Sequence, residues 1–286
     1  MKFIRETSER SDNKNTLKKA ILKNLNFKLI SFEGSPTIND NVTILMDKFK
    51  VDMNLSTTNN SDRLEIFNEL YKNSEFKDEF ALKKTIVENR KLKWGILVYD
   101  DNEYSLFFFK DSEKRWTFYK EFQNAEKFSD WLYENFSTIR HNISKYQEDN
   151  LPKYDISMRK NNKPWPGNVD GILLHNKKMI AVIEFQTTNK QPVREHDNND
   201  WWLPKYTRKG DKERWRSIYI NSKYLNLPVI VGVWNPQEEE YCIKLIKKFN
   251  FETNEPPFIF WEKIEIADDK NISTKLLEVL NINEKI

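Results

Sequence analysis

The sequence predicts an α/β chain whose C-terminal part is a mixed sheet flanked by helices. Three observations lead there. Residues 179–186 and 228–234 are strand-length runs with apolar residues on both faces, the pattern of strands covered on both sides. Amphipathic stretches with helical spacing precede and separate them. From residue 125 onward the elements read α-β-β-β-α-β, and an N-terminal helix-plus-hairpin module stands before them. The 286 residues, 38% hydrophobic and 14% aromatic, suffice for one large domain or two small ones.

In chain order, residues 15–29 form a basic stretch with Leu17, Ile21 and Leu25 at helical spacing. A polar segment with a short apolar run at 42–46 follows. Helices are expected from about residue 61, carrying Leu64, Phe67 and Leu70, and over 75–92, carrying Phe76, Phe80 and Val87. Residues 93–99 and 103–110 read as strands joined by the turn Asp100-Asp101-Asn102, with a third strand at 116–122. A helix over 125–147 opens the second part, followed by a strand at 154–159 and strands at 169–175 and 179–186. An irregular segment, 187–209, leads to a helix over 211–225 and to the apolar strand 228–234. Residues 238–250, 257–262 and 274–280 decorate the sheet. The expected division is 1–124, a recognition or dimerisation module, and 125–286, the catalytic domain.

Composition excludes several classes. No apolar run approaches the ~20 residues of a membrane-spanning helix, and no secretory leader is legible at the N-terminus. The single cysteine, Cys242, forbids an intramolecular disulfide, fits a reducing cytoplasm and reads as a buried residue of an amphipathic helix. The three histidines are too scattered for a zinc site or a triad, and no phosphate-binding glycine loop is present. A net charge of +3 is too small for a generally basic nucleic-acid coat, so any such contact has to be local.

The most informative stretch is 170–186, which reads as a β-hairpin. Glu184 and Gln186 lie two apart on a strand and so project to one face, with Ile180 and Val182 beside them. A three-residue loop, 176–178, pairs His175 with Met179 and sets Asp170 opposite Glu184. A two-residue loop would slip the register and turn Asp170 to the wrong face. Opposed carboxylates ~5 Å apart repel by about 3 kcal/mol, and a divalent cation between them reverses that sign. Hard oxygen ligands suit Mg²⁺ or Mn²⁺.

At these residues the chain resembles the PD-(D/E)XK nuclease superfamily, whose signature is an acid, a variable gap, then acid–any–Lys on adjacent strands. Here the elements are Asp170 and Glu184-Phe185-Gln186, with Gln186 where the family usually has Lys, a variant of a minority of type II restriction endonucleases. The resemblance implies a restriction endonuclease-like core of order α-β-β-β-α-β. It also implies Mg²⁺, with Mn²⁺ able to substitute, held by Asp170, Glu184 and the Phe185 carbonyl, and a water positioned by Gln186. In that superfamily the next helix often lends a basic residue. Lys212 or Arg216 would fill that role, or both belong to a solvated face with Tyr219 and Lys223, opposite the packing stripe of Trp215, Ile218, Ser222 and Leu225. An upstream acid often joins the metal shell, and Glu134, Glu148, Asp149 and Asp155 are the candidates.

The irregular segment carries Arg194, Trp201, Trp202, Lys205, Tyr206, Arg208 and Lys209. Basic and aromatic residues interleaved in a long loop suit phosphate contact with base stacking, or else the tryptophans cover the sheet. Its acids Glu195, Asp197 and Asp200 read as solvated charge. The expected activity is a Mg²⁺-dependent endonuclease on double-stranded DNA, restriction-type and homodimeric. The alternatives are a repair, recombination or phage nuclease on single-stranded or branched DNA, and a nuclease fold that binds nucleic acid without cutting it.

Overall fold

The computed structural model describes residues 1–6, 15–111, 115–136, 151–166, 169–189, 191–197, 212–253 and 255–282. The elements are β1 (Phe3–Ile4), α1 (Thr16–Lys23), β2 (Phe27–Ile30), β3 (Thr37–Ile38), β4 (Asn41–Val42) and β5 (Leu45–Val51). Next come α2 (Asn60–Lys72), α3 (Lys77–Asn89), β6 (Lys93–Tyr99), β7 (Ser105–Asp111), β8 (Thr117–Phe122), α4 (Ala125–Asn135) and α5 (Lys153–Lys160). The chain continues through β9 (Gly171–His175), β10 (Lys178–Thr187), α6 (Lys212–Leu225), β11 (Val229–Trp234), β12 (Glu240–Phe249), β13 (Ile259–Asp268) and α7 (Ile272–Val279). The fold class is mixed α/β, and no described helix is long and apolar enough to cross a membrane.

Contacts divide the chain into two units, Met1–Glu9 with Phe32–Asn168, and Arg10–Ser31 with Val169–Ile286. The division therefore falls elsewhere than at 124/125. Residues 125–168 belong with the first unit because α4 and α5 pack Phe128, Trp131, Tyr154 and Met158 into its core with Leu97 and Phe107. The N-terminal α1 and β2 belong with the second, since β2 pairs with β9.

The first unit is a five-stranded sheet in the order β1-β5-β6-β7-β8, with α2 and α3 crossing over between the parallel strands β5 and β6. Helix α2 starts from a capping box, Asn59 and Asp62 each accepting the other's backbone N–H. Lys83 of α3 and Asp47 of β5 are fully buried and lie 2.6 Å apart, and Trp94 Nε1 donates to the other Asp47 oxygen at 3.0 Å.

The second unit is a six-stranded sheet in the order β13-β12-β11-β10-β9-β2. Only the β10–β11 pair is parallel, and α6 makes the crossover between them. Helix α1 opens on Asn15, whose side chain accepts the Lys18 N–H. It buries Leu17, Ala20 and Ile21 with Ile183, Ile230 and Ile243 of the sheet and Leu276 and Val279 of α7. Gly232 allows this approach, since a Cβ there would stand 2.7 Å from Leu17 Cδ2. The opposite face carries Glu184, and α6 packs over it.

Four expected elements change. The helix over 15–29 ends at Lys23, and Phe27–Ile30 is a strand, because Asn24 and Asn26 interrupt the helical run. The helix over 125–147 ends at Asn135 as described, and 137–150 lie outside the described residues. The strand at 154–159 is α5: Tyr154 and Met158, four apart, are both buried, a helical spacing. Cys242 is buried on a strand, β12, not on a helix, because layers cover that strand on both faces.

Candidate active site

The hairpin at the centre of the second sheet turns through Asn176 and Lys177, at φ 48° and 65°, a two-residue connection where three were expected. His175 pairs with Lys178 and Leu174 with Met179. A bulge at Ile180 then adds one residue to β10, so that Leu173 pairs with Ala181 and Gly171 with Ile183. The bulge cancels the slip that the shorter turn introduces, and the next row brings Asp170 to Glu184. It also packs Ile180, half-buried, against the core cluster of Ile183 and Ile230, away from the face of Glu184 expected for it.

Asp170 lies just before β9, and its Oδ2 accepts the Phe185 backbone N–H at 2.7 Å. Glu184 projects beneath α6 and is 1% exposed. Gln186, two residues on, shares that face of β10 in the row of Val233 and is half-buried. A buried carboxylate is held by cationic or hydrogen-bonding partners, and Arg214 is such a partner. Its Nη2 hydrogen-bonds Glu184 Oε1 and stands 3.7 Å from Asp170 Oδ1. One guanidinium nitrogen thus touches both acids, which shows that the two carboxylates converge on a single point.

Arg214 was not among the expected residues, although a signal for it exists. It stands four, seven and eleven residues before Ile218, Asn221 and Leu225, all buried, and so extends the buried stripe of α6 by one turn. Lys212 and Arg216 are each two residues from it, ~200° around the helix axis, and both are half-buried. They share the other side of α6.

Of the nucleic-acid candidates, Arg194 is described. It sits on a 3₁₀ turn and donates to both Glu240 carboxylate oxygens, at 2.6 and 2.8 Å. Trp201, Trp202, Lys205, Tyr206, Arg208 and Lys209 lie outside the described residues, as do Asp200, Glu148 and Asp149. The other two upstream acids belong to the first unit and not to the unit of Asp170 and Glu184. Asp155 pairs with Lys48 there, and Glu134 lines a surface hollow with Lys120 and Asp130.

Nearby on β12, in the row of Glu184 and Val231, Lys244 is buried and donates to the His196 carbonyl, and burial lowers its pKa. Burial, aided by Lys244, also pushes the His196 imidazole down to about 4, so that ring is neutral at pH 7.

Among the described residues no group of three or more His, Cys, Asp or Glu side chains is placed to hold a metal ion. The available donor set is two carboxylates and the Phe185 carbonyl, all hard oxygens. They fit a small divalent cation on one observation, that Asp170 and Glu184 already share a cationic partner. No protein-family model, curated protein or solved structure matches this chain.

Proposed function

We propose that this chain is a metal-dependent nuclease of the PD-(D/E)XK type that hydrolyses phosphodiester bonds in DNA. The observation that carries the reading is the convergence of Asp170 and Glu184, from adjacent strands, on one cation position. The topology supports it independently. The order α1-β2-β9-β10-α6-β11, with one parallel pair at β10–β11, is the α-β-β-β-α-β order that the resemblance implies. It is assembled from other segments than expected, with residues 32–168 inserted in the chain between the first and second core strands.

Asp170, Glu184 and the Phe185 carbonyl would hold Mg²⁺, or Mn²⁺ in its place. Such an ion, when bound, makes water a nucleophile near neutral pH and neutralises charge on the phosphate. The protein's own contribution is geometric. The Phe185 N–H holds the Asp170 carboxylate at the end of the hairpin, and burial under α6 fixes Glu184. Gln186 carries no charge and accepts no proton, so its part is to hydrogen-bond and orient the attacking water. A restriction-type endonuclease on double-stranded DNA, acting as a homodimer that addresses both strands, is the form we favour.

A second reading rests on a specific observation. Arg214 already pairs with both acids, and Gln186 replaces the motif Lys, so the same arrangement serves a protein that binds nucleic acid without cutting it. Incubation of the purified full chain with unmethylated phage DNA, with and without Mg²⁺ and beside Glu184→Ala, separates the readings. Discrete fragments that need both Mg²⁺ and Glu184 establish a site-specific endonuclease. A smear, or cutting of single-stranded or branched DNA alone, points to a repair or degradative nuclease. Binding without cutting on any substrate rejects the nuclease reading.

A further inference from the structure

The Arg214 side chain touches both candidate metal-binding carboxylates. It is 47% exposed against 1% for Glu184, so a route to solvent lies open to it. It stands in the first turn of α6, where the helix dipole favours anions over cations. Arg214 brings one positive charge to two carboxylates, whereas a divalent ion brings two. Two cations on one pair of carboxylates repel each other.

We propose that Arg214 is a built-in counter-cation. It occupies the acid pair in the resting protein, competes with divalent metal for it, and transfers its charge to the substrate phosphate when metal and nucleic acid bind together. This rests on the nuclease reading above and adds a regulatory step to it. A guanidinium suits the second role because its fork matches phosphate oxygens. It also supplies the positive charge that Gln186 lacks, from the helix instead of the strand. Lys212 and Arg216 lie ~200° around α6 from it.

The test is Mn²⁺ binding to the full chain without nucleic acid, followed by loss of the free-ion electron paramagnetic resonance signal. Arg214→Gln removes the competing charge and keeps most of the side-chain length. It should bind Mn²⁺ at least about tenfold more tightly than the wild type, a difference of ~1.4 kcal/mol. Arg214→Lys keeps a charge near Glu184 but loses the fork, and should fall between the two. It serves also if the Gln variant does not fold. Unchanged or weaker Mn²⁺ binding in either variant overturns the proposal. Cleavage by Arg214→Gln should fall at least about a hundredfold at saturating Mg²⁺ in spite of the tighter metal binding. Faster cleavage would make Arg214 an inhibitor only and overturn its phosphate role. A wild-type protein that cuts DNA with Mg²⁺ while Arg214→Gln binds Mn²⁺ no better rejects this inference alone. A wild-type protein that neither binds Mn²⁺ nor cuts rejects the nuclease reading with it.

Discussion

The Phe185 amide donates to Asp170 Oδ2 at 2.7 Å, one row beyond the last paired residues of the β9–β10 hairpin. Asp170 therefore has two tasks, closing the hairpin through one carboxylate oxygen and facing Arg214 through the other. The tasks separate by substitution. Asp170→Asn keeps an acceptor for the Phe185 N–H and should retain stability while abolishing the Mg²⁺-dependent cleavage proposed above. Asp170→Ala should lose cleavage and in addition about 1.5–3 kcal/mol of stability, the worth of a hydrogen bond to a charged group. Urea denaturation of the two variants checks this. Equal stabilities would show that the hydrogen bond contributes nothing.

Lys83 and Asp47 form an ion pair with no exposure on either side chain. Lys83→Met removes the principal cation from a carboxylate that cannot reach water. Trp94 Nε1 and the more distant Arg5, 3.9 Å away, remain its neighbours. Breaking one side of a buried pair costs about 3–5 kcal/mol, and replacing both partners restores part of it. Lys83→Met should lower the urea midpoint strongly, and Lys83→Met with Asp47→Asn should lower it less. A double variant at least as unstable as the single one would refute a pair held together by mutual neutralisation.

Glu33 gives the first unit a pH dependence. Burial pushes its carboxyl up to about 7, Lys48 and Arg5, each at 3.6 Å, pull it back, and Asp47 and Asp155 add like charge. Its folded pKa thus stands above the ordinary value of 4.5, and the folded state holds a proton that the unfolded chain has released. Stability is full below pH ~4.5, falls as pH rises through the window to ~7, and is level above it, by at most about 3 kcal/mol. Glu33→Gln removes the ionisation. The Tm of the variant relative to wild type should be higher at pH 8 than at pH 5. The same difference at both pH values would show that Glu33 does not titrate in this window.

What was legible in the sequence was chemistry carried by local pattern. The alternation in 170–186 identified the hairpin and paired Asp170 with Glu184, and it did so from a turn one residue too long, because the bulge at Ile180 restores the register. A bulge has no local signature in an apolar strand. The pairing of Phe27–Ile30 with His175–Ile172 was not legible, since its partners flank the whole of residues 32–168 and nothing local links them. Arg214 was missed because a charged residue on a helix reads as solvated, unless the buried stripe is followed back to a buried carboxylate on the strand below. Tyr154 and Met158, four apart, carry the helical spacing of α5 within a stretch short enough to read as a strand.

The turn that sets the register carries a removable strain. Asn176 and Lys177 both adopt positive φ, which Asn tolerates and Lys does not. A left-handed conformation costs an ordinary residue about 1–2 kcal/mol, and Gly avoids that cost while giving up some entropy on folding. Lys177→Gly creates the Asn-Gly turn preferred for two-residue hairpins. It should stabilise the protein by about 0.5–1 kcal/mol, read as a higher urea midpoint at unchanged slope. Lys177 is exposed and at the opposite end of the hairpin from Asp170 and Glu184, so the proposed DNA cleavage should not change. Lys177→Val, β-branched in the same conformation, should destabilise. If Gly proved no more stable than Lys, the positive φ at 177 would carry no strain.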